Sequence, residues 1–332
     1  MISSTRNYTV AIYQNETLPS PLSEQWEGLV QRQPASGFMQ SLPWAAVKRL
    51  QGNDSFHVLV SEGDTVVGGA IFYSAQRRNG LGLCVAPEGP VLPWADEIQA
   101  AKILGAIIEK MSASASALGI MGLRIEPRLP PPPAPLLREF VRAPVDLVPR
   151  ETLYIDIAPS AEEQLLAMKP KGRYNIGLAE RAGVKVSIDL SGDSVSRFHS
   201  VLCEASSRDG FAIESLQFFE QIASVLVPSG NASFLFAEHD SDTLGTALLI
   251  KYGSRATYLY GGITNSKRNL MAGYALQWAA MQEARRCGCT LYDFYGYDRF
   301  RSPEHRYARF SQFKSRFGGV PVRFIGGQDY FL

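Results

Sequence analysis

The side chains best suited to chemistry in this sequence are lysines, arginines and tyrosines, concentrated in its second half. Residues 299–316 contain six basic side chains and one acidic one, with aromatic side chains between them. Residues 169–185 contain five basic side chains and one acidic one. Cationic side chains interleaved with aromatic ones suit phosphate contact combined with stacking on nucleic-acid bases. The competing interpretations are a solvated charged face and a strand-rich core with a basic edge.

The sequence has no local signature of a nucleophile–base pair, and no Walker-type or dinucleotide-binding loop. Its four cysteines and four histidines are scattered, and Cys287 and Cys289 are the only close cysteine pair. We therefore expect no disulfide framework, no metal site and no cofactor. Lysine, arginine and tyrosine orient anions and stabilise an oxyanion. They favour a reaction whose substrates supply both the nucleophile and the activated acyl group.

One stretch matches the pattern [RQ]-x-x-G-x-[GA], with which acyl-CoA N-acyltransferases hold pyrophosphate at a helix N-terminus. The stretch is Arg77-Arg-Asn-Gly-Leu-Gly82, but a strand-like run follows it instead of a helix. At the corresponding junction of the second half, Met271 stands where the first glycine of the pattern should be. We therefore expect no backbone nest for pyrophosphate there.

Length and composition fit two globular domains. The chain has 332 residues, of which 45% are hydrophobic and 20% charged, and its net charge is +1. These values exclude wholesale disorder and a protein that binds nucleic acid through bulk charge alone. The net charge is near zero because the two basic segments are balanced by acidic parts of the chain. Residues 186–245 contain nine acidic and two basic side chains. No stretch reads as a signal peptide or an integral membrane segment, so we expect a cytoplasmic protein.

The order of predicted elements is the same in both halves: a hairpin, a strand, a helix and a strand. The predicted hairpins cover 56–73 and 234–252, the helices 97–118 and 274–286, and the last strands 123–125 and 291–294. Further helices are predicted at 161–168, 174–182, 198–206 and 216–226. This order predicts a mixed α/β sheet in each half. A run of four prolines, residues 130–133, reads as a connector, and we place the domain boundary near residue 150.

Several motifs resemble those of the FemABX family of peptidoglycan-bridge aminoacyltransferases. The most specific is Lys169-Pro-Lys-Gly-Arg-Tyr-Asn-Ile176, followed by Ala179-Glu-Arg-Ala-Gly-Val184. The others are Phe38-Met-Gln-Ser41 with Trp44–Lys48, Glu88-Gly-Pro90, Tyr258–Gly261, Tyr274–Trp278, Tyr292–Phe294, and Phe313-Lys314 with Phe317-Gly-Gly319. Together they run over nearly the whole chain.

The resemblance implies an α/β fold of two tandem GNAT-like acyltransferase domains. The first would cover residues 1–150 and be completed by about 320–332, and the second would cover 151–319. No stretch of about fifty residues has the heptad pattern of the helical arm found in larger members. The chain is therefore similar to the short, FemX-like type, which implies a monomer.

The resemblance also implies a reaction, in which an amine of a peptidoglycan stem peptide attacks the ester of an aminoacyl-tRNA. The acceptor would be a UDP- or lipid-linked muropeptide. Lys314 matches the catalytic lysine that stabilises the oxyanion, and Phe313 would shape its pocket. Lys48 and Arg208 would bind the diphosphate of the acceptor. Tyr258 or Tyr260 matches the acceptor-site tyrosine, but the tyrosine expected four residues after the arginine is replaced by Ala212.

The basic segments supply the expected tRNA contacts, which are Lys169, Lys171, Arg173, Arg301, Arg306, Arg309 and Arg316. Three alternatives stay open. The chain could be an acyl-CoA N-acyltransferase of the same fold, or an aminoacyltransferase acting on another peptide, a nucleoside or a polysaccharide precursor. It could also be a binding module that keeps only the fold.

Overall fold

The computed structural model describes residues 8–74, 82–189, 193–300 and 307–332. The chain divides into two compact units, Met1–Arg150 with Arg323–Leu332, and Glu151–Val322. Within the described residues each unit is built on one seven-stranded sheet. Among the same residues, no helix combines the length and the apolar character needed to cross a membrane.

The sheet of the first unit has the strand order β1-β2-β3-β4-β5-β14-β6. Its strands are β1 (Tyr8–Gln14), β2 (Ser55–Glu62), β3 (Thr65–Ser74), β4 (Gly82–Pro87), β5 (Ile120–Glu126), β6 (Val141–Arg142) and β14 (Gln328–Phe331). Its helices are α1 (Leu22–Arg32), α2 (Leu42–Leu50) and α3 (Glu97–Leu118). Among the described strands of this sheet, only β4 and β5, which α3 connects, pair in parallel. The mixed α/β sheet predicted for the first half is confirmed.

Helix α3 has the bounds that its sequence pattern predicts. Asp96 caps its start, where the carboxylate accepts a hydrogen bond from the Gln99 amide, and Gly119 ends it in a left-handed conformation. The buried face of α3 packs in one core with side chains of β2 to β5, including Phe56 and Phe72. Burial of each large apolar side chain of this kind contributes about 1.5–3 kcal/mol to stability.

The sheet of the second unit has the order β13-β7-β12-β11-β10-β9-β8. Its strands are β7 (Glu151–Asp156), β8 (Lys185–Ile188), β9 (Ala232–His239), β10 (Asp242–Tyr252), β11 (Arg255–Ile263), β12 (Leu291–Asp293) and β13 (Val320–Arg323). Its helices are α4 (Ala161–Ala167), α5 (Pro170–Arg181), α6 (Ser194–Asp209), α7 (Leu216–Leu226), α8 (Ala272–Arg286) and α9 (Ala308–Lys314). Here α8 connects the parallel pair β11 and β12, so the predicted mixed sheet is confirmed again.

Helix α5 begins earlier than its sequence pattern predicts, at Pro170 instead of Tyr174. Proline suits the first helical position because its fixed φ is already helical and no amide partner is needed there. The buried side of α5 consists of Gly172, Asn175, Ile176 and Ala179. Residues 169–173, which open the most specific of the family motifs, therefore form the start of a helix docked on the unit.

The C-terminal segment contributes to both sheets. Val320–Arg323, at the start of the segment expected to return to the first domain, forms β13 beside β7 in the second sheet. Only β14, Gln328–Phe331, joins the first sheet, between β5 and β6. Residues 320–323 thus complete the edge of the second sheet before the chain joins the first.

Candidate functional site

The parallel strands β11 and β12 pair over only three residues each, from Arg255 with Leu291 to Thr257 with Asp293. Strand β11 continues to Ile263, whereas the chain after Asp293 enters a turn with left-handed backbone at Tyr295 (φ 45°) and Gly296 (φ 74°). We call residues 294–296 the carbonyl turn. Left-handed backbone is uncommon for a residue with a side chain such as tyrosine, so other contacts must stabilise this turn.

Lys314, the candidate catalytic lysine, supplies those contacts. Its side chain is buried at the end of α9, and its Nζ donates to the carbonyl oxygens of Phe294 (2.9 Å), Tyr295 (2.8 Å) and Gly296 (2.6 Å). Only a protonated amine can donate three hydrogen bonds at once. The carbonyl turn is therefore held by a buried ammonium group whose three donors are all engaged.

The charge of Lys314 sits in an apolar environment. Burial lowers the pKa of its amine from an ordinary value of 10.5 to about 7, and the nearby Asp293 carboxylate opposes this shift. Asp293 is itself fully buried, accepts a hydrogen bond from the Thr152 hydroxyl, and accepts another from the Tyr295 amide at 2.9 Å. Asp293 lies in the Tyr292–Phe294 motif, but sequence reasoning gave it no role because nothing local pairs it with Lys314.

One face of α9 is docked on the chain that follows β12. The Ser311 hydroxyl donates to the Tyr307 carbonyl and accepts from the Asp298 amide, both at 2.8 Å. The Tyr307 ring covers Gly296 so closely that a Cβ there would lie 2.6 Å from the ring. Gly296 is thus required both by its left-handed backbone and by this contact. Residues 307, 311 and 314 share a helix face, so the contacts of Tyr307 and Ser311 fix the direction of the Lys314 side chain.

The two candidate tyrosines of β11 lie on opposite faces of the sheet. Tyr258 pairs with Leu249 and Tyr260 pairs with Leu248, so Leu259 is an extra residue in a β-bulge. A bulge breaks the alternation that would otherwise place both tyrosines on one face. Leu249 belongs to the core that includes α8, and Tyr258 packs against that same core.

Tyr258 is the tyrosine on the Lys314 side. Its ring centroid lies 6.0 Å from Lys314 Nζ and 6.3 Å from the Phe294 ring. Tyr260 instead makes edge contacts with Phe219, at 5.1 Å, and with Phe218, at 6.0 Å. Burial raises the pKa of both phenols above its usual range. The structure therefore distinguishes two residues that the motif could not.

Phe313 lies beside Lys314 in sequence but contacts different groups. Its ring meets Tyr274 at 5.0 Å and Phe317 at 5.3 Å, both edge to face. These rings pack against the core that includes α8. Phe313 thus anchors α9 on this core.

Arg208, the candidate diphosphate ligand, lies in the last turn of α6. Its guanidinium makes a two-point contact with the Asp209 carboxylate, with N–O distances of 3.0 and 2.6 Å, and also donates to the Ile263 carbonyl at the end of β11. Phe211 follows, and its ring meets Phe310 of α9 at 6.1 Å. The end of α6 is therefore linked to β11 and to α9, and the Arg208 fork faces a carboxylate.

Lys48 lies in α2 of the first unit, where its Nζ donates to the Gln51 side chain at 2.7 Å. The other candidates whose side chains are described lie in the second unit. Among the described residues, no group of three or more His, Cys, Asp or Glu side chains is arranged to hold a metal ion.

The two basic segments meet in the second unit. The Lys169 amide donates to the Arg316 carbonyl at 3.1 Å, and a Cβ on Gly172 would lie 2.4 Å from the same oxygen. Lys169 and Lys171 are exposed, and Arg173 donates to the Met168 carbonyl. Arg301, Arg306 and the side chain of Arg309 lie outside the described residues.

The loop before α8 has an unexpected backbone. Met271 adopts a left-handed conformation (φ 56°) at the start of the helix, the conformation that a glycine would favour there. The turn is therefore formed although its sequence lacks the glycine, and the Met271 side chain packs against the core. Of the first-half match to the pyrophosphate pattern, Arg77–Gly82, residues 77–81 lie outside the described part of the chain.

Comparison with known proteins identifies the family. The model of the FemAB family matches residues 141–243 and 229–331 of this chain. The chain belongs to the FemAB family. The family resemblance seen in the motifs is thus confirmed.

This FemAB protein is similar to curated relatives over most of its length. It is 22% identical to the Lipid II:glycine glycyltransferase of Staphylococcus saprophyticus, covering 92% of this chain and 91% of the relative. It is 21% identical to the protein of that name from Staphylococcus haemolyticus, with 93% and 91% covered. The alignment with the first relative spans 381 positions, more than the 332 residues of this chain, so it includes segments of the relative that this chain lacks.

Solved structures show the fold of this FemAB protein. The crystal structure of FemX matches with a TM-score of 0.85 at 20% identity, covering 96% of this chain and 97% of the other. A tandem GNAT protein from the clavulanic acid biosynthesis pathway matches with a TM-score of 0.60 at 13% identity, covering 97% and 98%. The expected fold of two tandem GNAT-like domains is confirmed.

Proposed function

We propose that this FemAB protein transfers an aminoacyl group from a charged tRNA to an amine on the stem peptide of a lipid- or UDP-linked peptidoglycan precursor. The observation that carries the proposal is the buried Lys314 ammonium beside Tyr258, where the parallel strands β11 and β12 end. Relatives named Lipid II:glycine glycyltransferase support the acceptor class.

The reaction needs no nucleophile from the protein. The acceptor amine attacks the ester carbonyl, a C–N bond forms, and the C–O bond to the tRNA ribose breaks. The proton released by the amine passes to the ribose oxygen, so that an amide and a free hydroxyl are the products. The charge that must be stabilised is the oxyanion of the tetrahedral intermediate.

The role of Lys314 toward that oxyanion is limited by the hydrogen bonds that its ammonium already makes. The resemblance implies a direct contact between its ammonium and the oxyanion, but the carbonyl turn takes all three donors. We propose that Lys314 acts through its charge in an apolar environment and through the position it gives to the carbonyl turn. A direct contact would require the exchange of one of the three hydrogen bonds.

Acceptor binding would use the end of α6. A diphosphate presents the same two-point geometry to a guanidinium as a carboxylate does. Because the Arg208 fork already binds Asp209, the acceptor would compete with that carboxylate. For Lys48, in the first unit, acceptor binding is a separate proposal that rests on the motif alone.

Donor binding would use the surface where the basic segments meet. Lys169, Lys171, Arg173 and Arg316 share no ion pair with an acidic residue among those described, so their charge is available for phosphates. Charged tRNA is a cytoplasmic molecule, so we place the reaction there, with the protein acting as a monomer.

The test separates donor from acceptor. The purified protein is incubated with lipid II or a UDP-linked muropeptide and with either total charged tRNA or acetyl-CoA, and the products are identified by mass spectrometry. We expect the mass of the acceptor to rise by one amino-acid residue, only with charged tRNA. Acetylation alone would show instead that the left-handed Met271 turn serves an acyl-CoA enzyme. Transfer only to amines outside peptidoglycan precursors would overturn the proposed acceptor.

A further inference from the structure

Tyr174 is the one exposed tyrosine among the described residues. The chain has 14 tyrosines, and 62% of the Tyr174 side chain is open to solvent while the others are buried or half-buried. Its side chain makes no hydrogen bond or ring contact with a described residue. An aromatic ring of this kind is available to a partner and contributes nothing evident to the core.

The surroundings of Tyr174 are strongly cationic. Lys171 precedes it by three residues on α5, which places both side chains on one face of the helix, and Lys169 is exposed immediately before the helix. The sequence has no acidic residue between Glu163 and Glu180. The ring therefore stands beside cations that no neighbouring carboxylate in the sequence neutralises.

The helix that carries Tyr174 is firmly held. Asn175, Ile176 and Ala179 are buried, and Gly172 packs against the Arg316 carbonyl. The start of α5 is also tied to that carbonyl through the Lys169 amide. Since the exposed ring sits on a fixed support, little ordering is needed when a partner binds it.

We propose that Tyr174 is a stacking platform for an unpaired base at the acceptor end of tRNA, with Lys169 and Lys171 contacting the flanking phosphates. This inference rests on the proposed function and names a contact of its donor. Stacking on an aromatic face tolerates any base, which suits recognition of an end that tRNAs share. The single Tyr174 ring matches one stacked base, and the two lysines beside it match the phosphates that flank that base.

The experiment measures binding of a fluorescent acceptor-stem minihelix with an unpaired 3′ end by anisotropy. We expect Tyr174→Ala to raise the Kd roughly tenfold, the order expected for the loss of one stacked base, and Tyr174→Phe to bind like the wild type. The matched control is Phe331→Ala, which removes an equally exposed ring (62%) in the first unit. Thermal melts check that each variant is folded.

Salt dependence separates stacking from charge. Tyr174→Ala should leave the slope of log Kd against log salt unchanged, whereas Lys171→Ala should lower it by about one phosphate contact. On a minihelix trimmed of its unpaired 3′ end, Tyr174→Ala and the wild type should bind equally. An unchanged Kd for Tyr174→Ala on the full minihelix, or an equal loss on the trimmed one, would overturn the inference.

Two further results are informative. If Tyr174→Ala instead loses binding to anionic phospholipid vesicles and keeps its affinity for RNA, the ring serves a membrane surface and the inference is wrong. If the wild type transfers amino acids from tRNA and Tyr174→Ala keeps the same KM for tRNA, the inference fails while the proposed function stands. A wild type that neither binds the minihelix nor transfers amino acids would overturn both.

Discussion

The Nζ of Lys314 lies 2.6 Å from the carbonyl oxygen of Gly296, the shortest of three hydrogen bonds that bind this lysine to the carbonyl turn. A left-handed Tyr295 lies within the turn. The hydrogen bonds of one buried side chain thus stabilise an unfavourable backbone conformation at the end of β12. Stability and catalysis are expected to depend on the same ammonium group.

The burial of this amine predicts a pH dependence of stability, because burial disfavours its charged form. The pKa of Lys314 is about 7 in the folded protein and 10.5 is its ordinary value, so between these pH values the unfolded chain holds a proton that the folded one has released. Raising the pH through this window therefore favours the folded state. We expect the free energy of unfolding of the wild type, relative to Lys314→Met, to rise from pH 7 to pH 10 in urea titrations.

The matched control for that experiment is Lys185→Met, which removes an exposed lysine of the same unit and should leave the pH profile of the wild type unchanged. If the stability of the wild type relative to Lys314→Met instead stays flat or falls over this range, burial does not lower the pKa of the Lys314 amine.

The β-bulge at Leu259 predicts that the two tyrosines of β11 differ in function. Tyr258→Phe should lower the rate of aminoacyl transfer by up to roughly tenfold, the scale of one hydrogen bond to the acceptor. Tyr260→Phe should stay near the wild-type rate, because its ring packs against α7 on the other face. Steady-state kinetics decide this, and equal effects, or a larger one at Tyr260, would contradict the assignment.

The pair Arg208 and Asp209 predicts opposite effects on acceptor affinity. Arg208→Ala should raise the KM for the UDP-linked muropeptide about tenfold, since a hydrogen bond to a charged group contributes about 1.5–3 kcal/mol. Asp209→Asn should lower that KM, because it weakens the carboxylate that competes with the diphosphate. If Asp209→Asn raises the KM as Arg208→Ala does, the two residues form a structural pair and do not bind the acceptor.

Substitutions at two glycines of α5 test the contact between this helix and the Arg316 carbonyl. Gly172→Ala would place a Cβ 2.4 Å from the Arg316 carbonyl, a backbone atom, and overpacking of this kind should destabilise the protein by about 1–3 kcal/mol. At Gly177 the nearest atom is the flexible end of Arg181, at 3.1 Å. Gly177→Ala should therefore gain about 0.5–1 kcal/mol from helix propensity. Urea denaturation measures both, and equal stabilities would refute the contact.

The sequence predicts those parts of the structure that follow from local patterns. Helices α3 and α7 have the predicted bounds residue for residue, because an apolar stripe and a capping side chain, Asp96 or Ser215, coincide at each. Helix α5 starts four residues before the predicted position, because Pro170 occupies its first helical position.

The candidate site was predicted less completely, for physical reasons. The motifs pointed to Lys314, but its three partners are backbone carbonyls whose positions depend on the whole fold. The choice between Tyr258 and Tyr260 depends on a bulge in the register with β10, which leaves no mark in the residue types. The contact between Arg208 and its own neighbour, Asp209, depends on side-chain geometry that the sequence does not show.

The central claim is that aminoacyl transfer from tRNA depends on the buried charge of Lys314. The most direct measurement is the single-turnover rate at which a labelled amino acid moves from pre-charged tRNA to lipid II, compared between the wild type and Lys314→Ala. We predict a fall of about 10²–10³ in this rate, with folded protein shown by its melting profile. A folded Lys314→Ala variant that transfers the label at the wild-type rate would contradict the account.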